Sequence, residues 1–346
     1  MTPRIAMLMT VYNGGRFLAP AVQSVLESTL TDFEFVIVDN LSTDGSRDYL
    51  RGLSDRRIRL ILNERNLGQT GALNVGLAAC TAPLVARLDA DDLAEPDRLA
   101  RQAACLEGNA GLGLVGGQTV AIDGDGRPLF RTRFPLDFET IKTRMILQNC
   151  FDHSSITFRR DAALALGGYP GDFKVSQDFA LFSALLRAGH RMENGPVAVS
   201  KVRMHPDQVM AQGGSELEIT ESIRVAAANQ AWAAGRAEDL ALARTLHRLW
   251  SGKTSADRAA DDPDAEAALA RFFAETPASG RQKALLALFV LGGPCDGRTD
   301  LRLKLLGRAL RYDPMIVFHA EFAKRLLRAA LPPRYLARVR AMSPAH

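Results

Sequence analysis

The sequence predicts an α/β protein, with a mainly parallel sheet carrying helices on both faces and a helical region at the C-terminal end. Three observations carry this reading. Residues 5–10 and 35–38 are unbroken apolar runs, as strands covered on both faces should be. Between such runs apolar residues recur at helical spacing, and strand alternating with helix in this order builds a parallel sheet wound on both sides. From about residue 215 the strand signals fade, and Ala, Leu, Arg and Glu dominate.

The elements follow in order. Residues 5–10 form the first strand, and Phe17, Leu18, Val22, Val25 and Leu26 mark a helix after it. Residues 35–38 form the second strand. Residues 58–62 alternate more but are bounded like a strand. Leu73, Val75, Leu77 and Ala78 mark a second helix less cleanly, and residues 84–88 follow Pro83 as the fourth strand. Asp123-Gly124-Asp125-Gly126 is a turn signal between the strand-like arms of residues 120–134. Residues 155–158 read as a strand, 178–186 as a helix, and 197–204 as a last strand ending at His205. A boundary near Gly213-Gly214 divides the chain into residues 1–213 and a helical accessory region, 214–346.

A chain of 346 residues suits two domains. With 47% hydrophobic and 24% charged residues it has the balance of a protein with a sizeable core, which excludes a disordered chain. The net charge of +4 gives no case for a nucleic-acid partner. Cys80, Cys105, Cys150 and Cys295 are scattered without a CxxC pair, which fits buried thiols in a reducing compartment rather than a disulfide frame or zinc site. Residues 1–12 lack the length and cleavage site of a secretory signal. The longest apolar run, 284–291, falls short of the ~20 residues of a membrane-spanning helix. A cytoplasmic location is the expectation.

In a doubly wound sheet the binding crevice lies at the carboxyl ends of the strands. Three strand ends are polar: Thr10-Val11-Tyr12-Asn13-Gly14, then Asp39-Asn40-Leu41-Ser42-Thr43-Asp44-Gly45, then Asp89-Ala90-Asp91-Asp92. Carboxylates on separate loops of one edge can converge on one ligand. Asp89-x-Asp91 is the central signal. Breaking a sugar–diphosphate bond builds negative charge on the leaving group, a divalent cation offsets it, and hard cations prefer oxygen ligands. By itself such a triplet more often caps a helix or stays solvated.

Further residues place the triplet in a context. Thr10-Val11-Tyr12-Asn13 comes first, then Val38-Asp39-Asn40 with Ser42-Thr43-Asp44-Gly45. Asn66-Leu67-Gly68 and Asn74-Val75-Gly76 precede Ala86-Arg87-Leu88-Asp89-Ala90-Asp91-Asp92. His153, Phe158-Arg159-Arg160, Gly167-Gly168-Tyr169, Gln177-Asp178-Phe179 and Arg203-Met204-His205 complete the series. In this order and spacing the chain resembles the family 2 glycosyltransferases of GT-A fold from about Ile5 to Gln212. The resemblance implies an inverting transferase that moves a sugar from a nucleotide-diphosphate donor, a UDP-sugar first of all, to an acceptor hydroxyl. It implies a divalent metal, Mn2+ or Mg2+, and a glycan or lipid-linked acceptor in the synthesis of cell-envelope or extracellular polysaccharide.

By that resemblance Thr10, Tyr12, Asn13 and Asp39 hold the nucleoside, Asp39 by accepting from the uracil imide. Asp89 faces the ribose or the metal, and Asp91 binds the metal. Arg87 either offsets phosphate charge or forms a salt bridge on its strand. Asp178 matches the family's base, which takes the acceptor's proton; the alternative is a helix-start acid. His205 is a further metal ligand or a histidine that fixes its loop. His153 contacts acceptor or diphosphate or is structural.

Two positions depart from the family pattern. Asp39-Asn40-Leu41-Ser42 stands where Asp-Asp-Gly-Ser is common, so the lost glycine implies a differently shaped loop. Gln177 stands where Glu is common, which removes one charge beside Asp178. Gly252-Lys253-Thr254 is not a phosphate-binding loop, because His247 occupies the position that needs Gly. The basic, Leu-rich residues 300–340 suit either peripheral contact with the inner face of an anionic membrane or a solvated basic face on a helical domain. A GT-A-like nucleotidyltransferase and an inactive binding or scaffold subunit are the rival functions. The first normally opens with a Gly-rich phosphate loop, and the retained Asp39, Asp89, Asp91 and Asp178 argue against the second.

Overall fold

The computed structural model describes residues 2–205, 216–251, 265–291, 299–313 and 315. The expected boundary at Gly213-Gly214, the Gly252-Lys253-Thr254 segment, Cys295 and the basic residues from 316 onward lie outside the described residues. The chain forms two compact units, Met1–Val225 and Ala226–His346.

Among the described residues the first unit is built on a nine-stranded sheet. β1 (Ile5–Val11), β2 (Phe33–Asp39), β3 (Ile58–Leu62) and β4 (Leu84–Arg87) form a parallel block in the order β3-β2-β1-β4. The helices between them are α1 (Leu18–Leu26), α2 (Ser46–Arg51) and α3 (Gly68–Ala79). Period-2 side chains leave both faces of a central strand to be covered. Accordingly Ala6 and Leu8 of β1 join α3 in one core, while Ile5, Met7 and Met9 join α1 in the other.

Beyond β4 the sheet turns mixed. β5 (Leu93–Ala94) and α4 (Arg98–Gly108) lead to β6 (Leu112–Ile122), which forms a hairpin with β7 (Pro128–Arg131). α5 (Phe138–Arg144) and a short 3-10 turn, His153–Ser155, precede β8 (Thr157–Arg159). α6 (Arg160–Ala165) and α7 (Gln177–Arg187) then lead to β9 (Arg191–Arg203). β8 lies antiparallel between β4 and β6, and β9 runs parallel to β6 and antiparallel to β5.

The sequence pattern found only the ends of β6 and β9. Gly116-Gly117 hides the middle of β6, since glycine weakens a strand unless something packs closely. Here a β-carbon at Gly116 would meet Asn194 and Phe151, and one at Gly117 would stand 2.7 Å from both methyls of Val199. The glycines let β9 lie against β6.

α8 (Glu216–Ala234) is followed by α9 (Leu240–Ser251), α10 (Ala265–Glu275), α11 (Gly280–Leu291) and α12 (Thr299–Tyr312). In the second unit Leu242, Leu246, Phe272, Phe273, Leu286, Leu305 and Leu306 are buried, and Phe273 packs on Tyr312 at 5.6 Å. Leu305 and Leu306 of α12 are therefore committed to their own unit. Among the described residues no helix is long and apolar enough to cross a membrane.

Candidate active site

β1 and β2 end side by side, with Val11 in register with Asp39. The loops that leave them are stitched together. The backbone N–H groups of Asn13, Gly14 and Gly15 donate to Ser42 Oγ (2.9 Å), Ser46 Oγ (3.0 Å) and Asp44 Oδ2 (2.8 Å). Asn13 adopts a left-handed φ of 53°, which Asn tolerates, and its Oδ1 accepts from the Thr43 N–H at 2.8 Å. Thr10 is half-buried at the end of β1, and Tyr12 is 56% exposed.

The loop after Asp39 carries a left-handed residue where glycine is common in the family pattern. Leu41 keeps a left-handed φ of 70° although it is not glycine. Asn40 explains how the loop is held: its Nδ2 donates to Asn66 Oδ1 (2.8 Å) and its Oδ1 accepts from Asn63 Nδ2 (3.0 Å) and the Leu67 N–H (2.9 Å). The amide at 40 joins the ends of β2 and β3 to the start of α3, and Leu41 holds its left-handed φ beside it.

Asp39 is fully buried. Its carboxylate accepts from the Ser42 N–H at 3.3 Å and pairs with Arg47 Nε at 2.5 Å, while Arg47 Nη2 donates to the Asn63 carbonyl at 2.6 Å. As the site stands, Arg47, one-fifth exposed, covers the carboxylate expected to read a base. Arg47 had no signal in the sequence, because a basic residue in the first turn of a short helix looks solvated.

The Asp89–Asp92 segment follows β4. Asp89 accepts from Ser154 Oγ at 3.0 Å, its N–H donates to the same hydroxyl at 3.0 Å, and Arg87 Nη1 lies 2.5 Å from its Oδ1. Burial opposes ionisation of Asp89, but Arg87 beside it, His153 and the Ser154 hydroxyl outweigh burial and hold its carboxyl below the ordinary range. Arg87 itself is wholly buried in this pair.

Asp91 is one-quarter exposed and its Oδ2 lies 3.1 Å from His205 Nε2. The His205 ring packs on Phe17 at 4.6 Å. Asp92 is buried and accepts from the Arg203 N–H at 2.7 Å; burial first, then Asp91 and Asp89, raise its carboxyl well above the usual range. Arg203 Nε donates to the Asp91 carbonyl at 2.9 Å and its Nη1 to the carbonyls of Asp123 and Gly124, both at 3.1 Å. The end of β9 is thus tied to the acidic loop.

Arg98, fully buried on α4, supports this edge from below. It donates to the carbonyls of Ser154 (2.7 Å), Arg87 (2.7 Å) and Ile156 (3.0 Å). Its signal was available: Arg98 and Gln102 stand four residues apart on the same helical face as Leu99, Ala103 and Leu106. His153 Nε2 lies 2.9 Å from the Tyr169 hydroxyl, and burial first, then Arg87, push its pKa well below the ordinary value.

Asp178 lies in the first turn of α7, whose N-cap is Ser176. Asn149 Nδ2 donates to its Oδ2 at 2.9 Å. Burial pushes its carboxyl up to about 6, against the opposing effects of the Phe179 N–H and Arg87, with Asp89 adding to the rise. Such a carboxyl is largely ionised at neutral pH yet more basic than an ordinary aspartate.

Among the described residues no three His, Cys, Asp or Glu side chains are grouped to hold a metal ion. The pair that is present fits a different kind of site. Magnesium-like ions are commonly bound through one or two carboxylates, with substrate phosphates and water filling the rest. Asp91 could supply one such carboxylate, with the His205 imidazole 3.1 Å from it. Asp89 is engaged by Arg87 and Ser154.

The family model described as glycosyl transferase family 2 matches residues 7–166. The chain is 29% identical over 216 residues to the amylovoran biosynthesis glycosyltransferase AmsE of Erwinia amylovora, covering 60% of this chain and 79% of that one. It is 31% identical over 211 residues to EpsE of Bacillus subtilis (strain 168), whose name describes it as a glycosyltransferase, covering 59% and 74%. Among solved structures, S. aureus TarS 1-349 in complex with UDP-GlcNAc superposes with a TM-score of 0.59 over 90% of this chain and 92% of that one, at 15% identity. At that identity the likeness establishes the fold, which is GT-A.

Proposed function

The chain belongs to glycosyl transferase family 2 and is a glycosyltransferase, and from that premise we propose that it transfers a sugar from UDP to an acceptor hydroxyl with inversion. The acceptor belongs to a growing polysaccharide or its lipid-linked precursor, the reading that AmsE's role in amylovoran biosynthesis supports. The reaction takes place in the cytoplasm.

One observation carries the mechanism. Asp89 and Asp178 occupy one region of the site, and their surroundings move them apart: Asp89 is held below the ordinary range and Asp178 is raised to about 6. Carboxylates separated in this way divide their roles. Asp178 is the base. As the acceptor oxygen bonds to the anomeric carbon, its proton passes to the Asp178 carboxylate, and the bond from that carbon to the diphosphate oxygen breaks toward UDP. No second carboxylate is needed as a nucleophile, so the configuration inverts. Asp91 and His205 would hold Mn2+ or Mg2+, which when bound offsets charge on the leaving diphosphate. Thr10, Tyr12, Asn13 and the Asp39–Arg47 pair form the nucleoside end, where Arg47 yields as the base reaches Asp39.

The nucleotidyltransferase alternative lacks support at the loop it would use. A phosphate cradle needs available N–H groups, and those of Asn13, Gly14 and Gly15 are already taken by Ser42, Ser46 and Asp44. A thermal-shift panel of UDP-, GDP- and other nucleotide sugars with and without Mn2+, paired with a UDP-release assay, tests the proposal. UDP-sugars should raise the melting temperature in the presence of Mn2+. Binding without any turnover would favour the inactive scaffold reading, and a response confined to other nucleotides would refute the donor.

A further inference from the structure

Three consecutive backbone N–H groups, those of Lys174, Val175 and Ser176, donate to a single carboxylate, Glu221, at 2.8, 2.9 and 2.9 Å. Glu221 is 2% exposed and comes from α8, outside the residues 7–166 that the family model matches. Its neighbours on the helix grip the same loop. Ser222 Oγ lies 3.1 Å from Ser176 Oγ, and Arg224 donates to Asp172 at 2.6 Å while its guanidinium stacks on Phe173 at 4.6 Å. From the opposite side Thr70 Oγ1 donates to the Phe173 carbonyl at 2.6 Å.

The start of α7 is unusual in a way that fits this grip. A serine at the N-cap normally accepts from the N–H groups of its own helix. Ser176 makes no such bond and turns its hydroxyl to Ser222 and to the Glu218 carbonyl at 3.5 Å. The entry to α7 is therefore set from outside, by α8. Asp178 stands two residues further on, and its carboxylate is aimed by the first turn that this entry defines.

We propose that Glu221 is a positioning residue for Asp178: by holding the N–H groups of residues 174–176 it fixes the angle at which α7 presents the base to the acceptor. This rests on the reading of Asp178 as the base. A misplacement of about 1 Å at a reacting group can lower a rate ~10²-fold, so loosening the clamp should act on turnover and spare the donor, whose residues lie on other loops.

The test uses the whole chain and UDP release from whichever sugar of the panel is hydrolysed fastest, water standing in for the acceptor. Glu221→Gln leaves one acceptor oxygen where two served three donors, and should lower kcat by ~10–100-fold with UDP affinity in the presence of Mn2+ unchanged by calorimetry. If that variant does not fold, Glu221→Asp keeps the charge with a shorter reach and is read in the same way. On an Asp178→Asn background either substitution should cause no further loss, since it acts through the base. A folded variant with unchanged kcat, or one that slows the Asp178→Asn protein by the same factor as the wild type, overturns the proposal and leaves the base in place. An Asp178→Asn protein with wild-type turnover overturns the base and the proposal together.

Discussion

Asp178→Asn should lower sugar transfer and raise stability together, and the second effect depends on pH. The amide keeps the shape, and its oxygen can still accept from Asn149, but it cannot take a proton; loss of a general base costs ~10²–10⁴-fold in rate. The stability change follows from burial. The folded-state pKa of about 6 lies above the ordinary 3.8, so the folded chain binds this proton more tightly than the unfolded one. Wild-type stability is therefore reduced as pH rises from ~4 through 6, and the reduction is complete above that. The rise from 3.8 to about 6 corresponds to roughly 3 kcal/mol at most, and because Asp178 is only half-buried the expected figure is about 1–3 kcal/mol. Urea unfolding of both proteins at pH 4 and pH 7.5 measures it: the mutant should be the more stable at pH 7.5 and match the wild type near pH 4. A difference that is the same at both pH values would refute the burial argument, and near-normal transfer would refute the base.

Asp91→Asn should remove Mn2+-dependent UDP binding, measured by calorimetry with titrated metal, while the circular dichroism spectrum stays unchanged. Asp39→Asn should raise KM for the donor more than it lowers kcat, since a base contact made equally in ground and transition states acts on binding; equal UDP affinity in mutant and wild type would exclude the contact. Leu41→Gly should be more stable than Leu41→Ala by about 1 kcal/mol, because both remove the isopropyl end of the side chain and only alanine keeps the β-carbon that strains a left-handed φ. Chemical denaturation compares them, and an alanine variant of equal stability would refute the strain.

The parallel block was legible because its strands are buried on both faces, and burial writes itself as unbroken apolar runs such as residues 35–38. β5 was not, since two residues carry no period, and β6 was interrupted by the glycines that admit β9. Within the site, the carboxylates at strand ends were legible as residue types, whereas their partners were not. Arg47, Ser154 and Asn149 act through contacts that lie 8, 65 and 29 residues away in sequence. That Leu41 takes a left-handed φ was not legible from its residue type, because the Asn40 hydrogen bonds that hold the loop reach residues 63–68. Glu221 is the hardest to see in advance, because a lone acid on a polar helix resembles any solvated one.

The stitching of the first two loops has a consequence for altering donor choice. Its donors are main-chain groups at positions 13, 14 and 15, where Asn13 and Gly15 hold a left-handed φ, and its acceptors are the side chains of Ser42, Asp44 and Ser46. Both sides of the contact therefore restrict variation. Exposed Tyr12 and Arg16 flank the stitched backbone and contribute nothing to those bonds, so a combinatorial library at 12 and 16 can explore new nucleotide preferences on an unchanged chassis. The same diversity placed at 42, 44 or 46 would dismantle the frame before selection could act on the ligand.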